Sequence, residues 1–251
     1  MAKNQKKSLA FSALKGIVRF FYPKMELVGT ENLPEGEAIL VGNHAQIHGP
    51  IVSELYFEEN CAIWCAGEMM RMREVPAYAF QDFWSAKPPL TRPFYKVLSY
   101  LIAPLAAFVF TRAKTIPVRR DNRIITTFRT TIKRMQEGAK IVIFPEENTP
   151  YNHILSDFQE HFVDVARLYH KTVGKEVEFV PFYVSPHCKR VVFGKPIRFS
   201  AKASMEEERE RIITHLMQEI TCLAESLPLH TVIPYQNKPK KEYNTNLPKR
   251  S

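Results

Sequence analysis

Polar side chains that are suited to proton transfer follow four short apolar runs of the sequence. The runs AILVG, AIWCAG, TIPV and KIVIFP are followed, in that order, by Asn43 and His44, by Glu68, by Arg119 and Arg120, and by Glu146. If the runs are strands of one α/β sheet, their carboxyl ends are where ligands gather. A histidine, carboxylates and an arginine pair in one cleft would suffice for proton transfer beside an anionic substrate.

Strand-like and helix-like patterns alternate along the chain. The β-rich runs predict strands over 38–42, 62–66, 115–118, 140–144, 179–184 and 191–199. Apolar periodicity predicts helices over 50–57, 121–137 and 157–171, and a last helix from Ser204, where Glu207 completes a capping box. This alternation predicts an α/β fold with a central mixed sheet flanked by helices.

The N-terminal segment, 1–24, is predicted to be a basic amphipathic helix. Polar residues recur at spacings of four, three and four between largely apolar positions, at Ser8, Ser12, Lys15 and Arg19. The resulting narrow basic stripe and wide apolar face fit a helix in the bilayer interface or one packed on the protein's own core. No repeat or linker divides 25–228, which we interpret as one domain, and 229–251 is predicted to be a loosely ordered basic tail.

The net charge of +9 is concentrated at the two ends of the chain. Residues 1–24 carry +6 and residues 236–251 carry +4, whereas residues 25–235 carry −1. A nucleic-acid binder usually has its positive charge on a folded face, so we expect no nucleic-acid partner. Basic ends around a neutral body favour an anionic membrane surface, where each Lys or Arg adds about 1 kcal/mol.

The longest apolar run, Val97–Phe110, has 14 residues and contains Pro104. A membrane span needs about 20 residues, so the run is predicted to be too short to cross. With no signal peptide recognisable and four scattered cysteines, we expect a protein bound peripherally or monotopically to the cytoplasmic face of a membrane. His44 and His48 lack further ligands, so no metal site is expected.

Four blocks of sequence occur in a recognisable order. They are NHAQIHGP from Asn43, TIPVRR from Thr115, FPEENTP from Phe144 and FVPFY from Phe179. This order resembles the lysophospholipid acyltransferase family, which includes the glycerol-3-phosphate and 1-acylglycerol-3-phosphate acyltransferases. The resemblance covers roughly residues 25–200.

The resemblance implies an O-acyltransferase of phospholipid biosynthesis or remodelling. His44 would be the general base that takes the proton of an acceptor hydroxyl as it attacks the thioester of acyl-CoA or acyl carrier protein. Glu146 would be the second catalytic residue. The substrate-binding residues implied are Asn43, Glu68, Arg119, Arg120 and Pro145. The expected partners are a membrane lipid and the acyl thioester, which is a co-substrate, and no cofactor is expected.

The chain departs from the family pattern at two places. The aspartate that orients the family's histidine is replaced by Gly49, and FPEENTP lacks the family's glycine and arginine. Glu68 or Glu146 is favoured as the substitute carboxylate. The alternative hypothesis is a non-catalytic lipid-binding descendant of the scaffold. A carboxylate within about 3.2 Å of the second ring nitrogen of His44 would favour catalysis, and a ring packed by apolar groups would favour binding.

Overall fold

A computed structural model of the protein describes residues 8–85, 87–119 and 124–248. The α-helices are α1 Leu9–Phe21, α2 His48–Tyr56, α3 Val75–Ala79, α4 Arg92–Arg112, α5 Ile124–Gln136, α6 Asp164–Val173 and α7 Met205–Ser226. The strands are β1 Glu26–Val28, β2 Ile39–Gly42, β3 Cys61–Ala66, β4 Thr115–Val118, β5 Lys140–Ile143, β6 Glu146–Pro150, β7 Ser156–Phe158, β8 Glu178–Ser185, β9 Arg190–Phe193 and β10 Ile197–Arg198.

The chain divides into two compact units. The first unit comprises Met1–Pro23 and Trp64–Thr127, and the second comprises Lys24–Ile63 and Phe128–Ser251. The boundary falls within β3, whose first half belongs to the second unit.

The second unit is built on a mixed sheet in the order β1-β9-β8-β2-β5-β3. Strand β2 is central and pairs in parallel with β5 on one side and β8 on the other, with Leu40 opposite both Val142 and Val180. Strands β9 and β10 run antiparallel to β8. All four residues of β2 are buried, as expected for a parallel strand covered on both faces. The carboxyl ends of β2 and β5 therefore meet at one edge of the sheet.

The first unit has a small core formed by α3, α4 and the turn that follows β3. Its buried members are Met69, Val75, Ala79 and Ala103. Only one side of α4 packs against this core, through Ala103, Ile102, Ala106 and Phe110. The opposite side of α4 stays in solvent.

The structure confirms the α/β class, the central mixed sheet and a helix within 1–24. It also confirms the capping box of α7, in which Ser204 Oγ accepts from Glu207 N and the Glu207 carboxylate accepts from Ser204 N. The part of the predicted helix 121–137 before Ile124 lies outside the described residues.

Other elements differ from prediction for identifiable reasons. The run 191–199 forms two strands, β9 and β10, because the pairing with β8 shifts by one residue between Phe193, opposite Phe182, and Ile197, opposite Phe179, and Pro196 has no N–H to donate. The predicted helix 157–171 begins only at Asp164, since residues 156–158 pair with β6 as β7.

The apolar run Val97–Phe110 lies within a longer helix than predicted. Helix α4 has 21 residues because Arg92–Lys96 and Thr111–Arg112 extend the run at both ends. By length and composition alone α4 could cross a membrane, and 11% of its most apolar window is buried. The prediction that the segment is too short to cross a membrane is therefore wrong, because it took the length of the apolar run for the length of the helix.

The C-terminal segment also departs from the expectation of loose order. Among its members, His230 is 3% exposed, Val232 2% and Asn246 0%.

Candidate active site

The loop that follows β2 carries His44 in a tight turn. Ala45 and Gln46 both adopt left-handed backbone angles, with φ of 45° and 56°. The Gly49 N–H then donates to His44 O at 3.0 Å as α2 begins. Two consecutive non-glycine residues in this conformation are uncommon and are retained only where surrounding contacts fix them. The conformation of this turn is therefore held by the contacts around it.

Gly49 occupies a position that has no room for a side chain. A Cβ there would lie 2.7 Å from His44 O, 2.7 Å from Phe144 Cε1 and 2.9 Å from Asn43 O. Two of these neighbours are backbone atoms, which cannot swing away. With this turn, an aspartate at position 49 cannot be accommodated without moving the chain.

Asn43 fastens the start of the turn to β8. Its Nδ2 donates to Val184 O at 3.1 Å and its Oδ1 accepts from Val184 N at 2.7 Å. The residue is 3% exposed. The Asn43 amide thus continues the pairing of β2 and β8 beyond the last main-chain bond and fixes the backbone that leads to His44.

Glu146 joins the carboxyl ends of β5 and β2. Its Oε1 accepts the main-chain N–H of His44 at 2.7 Å, and its Oε2 accepts that of Ser156 at 3.0 Å. The adjacent Pro145 is buried, and its carbonyl accepts from Gln159 N. Burial raises the pKa of Glu146 to about 7, although the two N–H donors act in the opposite direction. Glu146 thus binds the main chain of His44 and not its ring.

The His44 imidazole is packed between two aromatic rings. Its centroid lies 5.3 Å from that of Phe144 and 5.5 Å from that of Tyr235, both edge-to-face. Among residues 8–85, 87–119 and 124–248, the buried Nδ1 of His44 has no hydrogen-bond partner. Burial lowers the pKa of His44 to about 4, against a smaller opposing effect of the Gln46 main chain. The ring is therefore neutral at neutral pH.

Sequence reasoning missed the aromatic residues supplied by the C-terminal segment. Tyr235 contacts the His44 ring, and the Tyr243 hydroxyl accepts from Gln46 Nε2 at 2.7 Å. Both also line an open pocket with the β6–β7 hairpin. The two tyrosines of the tail, together with the apolar Val232 and Ile233 beside Tyr235, were the available signal.

The remaining predicted residues belong to the first unit. Glu68 lies in the short 3-10 helix Gly67–Met70, and Arg119 follows β4. The aliphatic stem of Arg119 packs beside Gly67, so Glu68 and Arg119 are neighbours in that unit. Arg120 lies outside the described residues.

Within the described ranges, the structure contains no group of three or more His, Cys, Asp or Glu side chains that could hold a metal ion. The chemistry available at the site is that of one imidazole, one buried carboxyl group and the surrounding aromatic rings. These groups can accept or hold a proton and can exclude water.

Similarity to known proteins is found among solved structures. No protein-family model and no curated protein matches the chain. The crystal structure of the 1-acyl-sn-glycerophosphate (LPA) acyltransferase PlsC from Thermotoga maritima is similar with a TM-score of 0.45 and 15% sequence identity. The similarity covers 85% of this chain and 79% of that one.

Proposed function

We propose that the protein is a membrane-surface acyltransferase that moves a fatty acyl group from a thioester to the hydroxyl of a lysophospholipid or related glycerol lipid. The observation that carries the proposal is the hydrogen bond between His44 and Glu146. It joins the Asn-His block to the Phe-Pro-Glu block at the carboxyl ends of two adjacent parallel strands. These are two of the blocks on which the resemblance to the lysophospholipid acyltransferases rests.

His44 acts as the general base in this proposal. Because Nδ1 is buried, Nε2 is the nitrogen that meets the substrate. As the acceptor oxygen forms its bond to the acyl carbon, its proton passes to Nε2. The carbon–sulfur bond then breaks, and the departing thiolate takes the proton from the imidazolium. The acyl donor is acyl-CoA or acyl carrier protein, and no other co-substrate is required.

The low pKa of His44 determines both its protonation state at neutral pH and its strength as a base. The ring is already neutral near pH 7, so the proton-accepting form is fully populated. The imidazolium that forms during transfer is poorly stabilised, since Glu146 is bonded to the main chain. In a serine protease, replacing the orienting carboxylate lowered turnover by about 10⁴-fold. We therefore expect slow transfer whose rate is independent of pH down to about pH 5.

An exposed apolar surface on the first unit supports the membrane part of the proposal. Helix α4 exposes Phe94, Val97, Leu101 and Leu105, which lie on one face at spacings of three and four. Helix α1 adds Leu9, Ile17, Phe20 and Phe21, which are between 57% and 88% exposed. Phe11 of α1 contacts Phe108 of α4 edge-to-face, so the two helices present their apolar residues within one unit.

This surface fits docking into the bilayer interface better than a span. One side of α4 is committed to the core of the first unit, so a single face is available to lipid. Lys15 and Arg19 lie on the polar stripe of α1, where they suit anionic headgroups. We propose the cytoplasmic face of a membrane as the location.

A second candidate function is a lipid-binding protein without catalysis. It is favoured by the His44 ring, whose buried Nδ1 is bonded to no carboxylate of the described chain and which packs against Phe144 and Tyr235. The lack of room for a side chain at Gly49 also favours a protein without catalysis, because no aspartate can be placed there to orient the His44 ring.

Acyl transfer to a panel of lysolipids separates the two candidates. Labelled acyl-CoA and acyl carrier protein are supplied separately, with anionic vesicles present. We expect transfer by the wild type and a loss of about 10²–10⁴-fold in His44→Ala. His161→Ala is the matched control, because His161 is an exposed histidine of the same unit. Transfer that survives in His44→Ala removes His44 as base. Vesicle binding without transfer to any acceptor favours the second candidate.

A further inference from the structure

Residues 230–246, called the strap below, form a closed loop that packs onto the turn after β2. The loop is closed at its base, where Asn246 Oδ1 accepts from His230 N at 2.8 Å and Asn246 N donates to His230 O at 3.1 Å. A bridge between Thr231 and Thr245 adds a second closure. The strap is thus a defined structural element of the second unit.

Buried polar contacts attach the base of the strap to the body of the second unit. Asn246 Nδ2 donates to Ala224 O at 2.9 Å and to Leu227 O at 3.0 Å, at the end of α7. His230 Nε2 bonds the Tyr183 hydroxyl of β8 at 3.0 Å. Since Asn246 is fully buried, breaking this attachment leaves several polar groups unsatisfied.

The far end of the strap reaches the candidate site at three points. The Tyr235 ring lies edge-to-face on His44, with an interplanar angle of 81°. The Tyr243 hydroxyl accepts from Gln46, one of the two left-handed residues of the turn after β2. Gln236 Nε2 donates to Asn148 O on β6, close to Glu146. Two of these contacts are with residues of the His44 turn, and the third is with the strand that carries Glu146.

We propose that the strap is part of the active site and that Tyr235 is a positioning residue, which holds the His44 imidazole in place of the missing aspartate. The inference rests on the proposed function for its catalytic meaning. The physical basis of the inference is independent of that function. Position 49 has no space for an orienting carboxylate, and Phe144 and Tyr235 enclose the His44 ring from two sides. Tyr235 acts by contact of its ring, so its hydroxyl is dispensable for this role.

The first test is an NMR titration of the His44 imidazole in the full-length protein. Removing the ring in Tyr235→Ala admits water to His44, so its pKa should rise from about 4 towards 6.5. Tyr235→Phe should keep the wild-type value. Tyr151→Ala is the matched control, because Tyr151 is a 46% exposed tyrosine of the same unit. Glu146, whose carboxyl group bonds the His44 main chain, is present in every variant.

A second variant guards against a folding defect in Tyr235→Ala. Asn246→Ala loosens the base of the strap without altering Tyr235, and it should move the His44 pKa in the same direction. In acyl transfer, Tyr235→Ala should lower kcat by about 10–100-fold with little change in KM, as expected for a misplaced base. An unchanged His44 pKa in both folded variants overturns the inference. If the two variants shift the His44 pKa but the wild type transfers no acyl group, the positioning role of Tyr235 stands and the proposed function is rejected.

Discussion

The two units of the protein use apolar and polar side chains in opposite ways. In the second unit, buried polar groups such as Asn43, Glu146 and Asn246 are hydrogen-bonded to main-chain atoms and hold one histidine in a fixed turn. In the first unit, leucine and phenylalanine side chains of α1 and α4 stand in solvent. Chemistry needs a preorganised polar site, whereas docking on lipid needs exposed apolar area, and here each requirement is met in a separate unit.

The comparison predicts that membrane binding can be removed without touching the histidine site. Leu101→Glu and Leu105→Glu place charges on the exposed face of α4, where each leucine side chain would contribute about 1.5–3 kcal/mol on burial in lipid. The double variant should therefore lose about 100-fold or more in affinity for anionic vesicles, measured by sedimentation.

The matched control for the membrane prediction is Leu229→Glu in the second unit, where Leu229 is 65% exposed. It should bind vesicles as the wild type does. Equal losses in the control and in the α4 variants would mean that the lipid surface is not confined to the first unit.

A second prediction concerns the rigidity of the histidine turn. Gly49→Asp introduces the aspartate found at this place in the lysophospholipid acyltransferase pattern, but its Cβ meets two backbone oxygens, so we expect a loss of about 1–3 kcal/mol in the free energy of unfolding and no gain in acyl transfer. Urea unfolding measures the first and the lysolipid assay the second. Gly36→Ala is the control, because a Cβ there meets nothing within 4 Å. A stable and faster Gly49→Asp would show that the turn can adopt the family's geometry.

The smallest predicted effect is a pH dependence that the two buried groups of the site largely cancel. The folded pKa of Glu146 is about 7 against 4.5, so its contribution to stability is full below pH 4.5 and is lost as pH rises to 7. The folded pKa of His44 is about 4 against 6.5, so its contribution is full above pH 6.5 and is lost as pH falls to 4.

Urea unfolding between pH 4.5 and 6.5 tests this cancellation. Relative to the wild type, His44→Gln should become less stable as pH rises, by about 1 kcal/mol per pH unit, because only the Glu146 effect remains. His161→Gln should keep the wild-type profile. Parallel profiles for His44→Gln and the wild type would contradict the opposed pKa shifts.

Much of the fold could be predicted because continuous apolar runs identify buried parallel strands. The strand Thr115–Val118 was predicted with its observed bounds, and those of 140–144 and 62–66 were correct within a residue. The short edge strand β1 and the β6–β7 hairpin were missed. Residues such as Glu147 and Asn148 of β6 are exposed and polar, so they carry no strand signal, and their pairing depends on a contact with residues 156–158.

The site was predictable only in part. His44 and Glu146 could be paired because both follow apolar runs, and the structure does bring them together. Their contact through the His44 main chain was not predictable, since it depends on the left-handed turn at Ala45 and Gln46. Neither alanine nor glutamine predicts a left-handed conformation. The role of Tyr235 was also hidden, because 191 positions separate it from His44 and only the folded strap brings them into contact.

The strand pairing of the second unit determines when the site can exist during synthesis. Strand β2 is completed by β8, and Asn32 next to β1 bonds Phe193 O of β9, 161 positions away. At 5–20 residues per second, a ribosome takes roughly 10–30 s to make that intervening chain. The first unit is fully synthesised once residue 127 is made. The residues of α1 and α4 are therefore made before the sheet can be completed, and the histidine site forms last, because it also requires the strap.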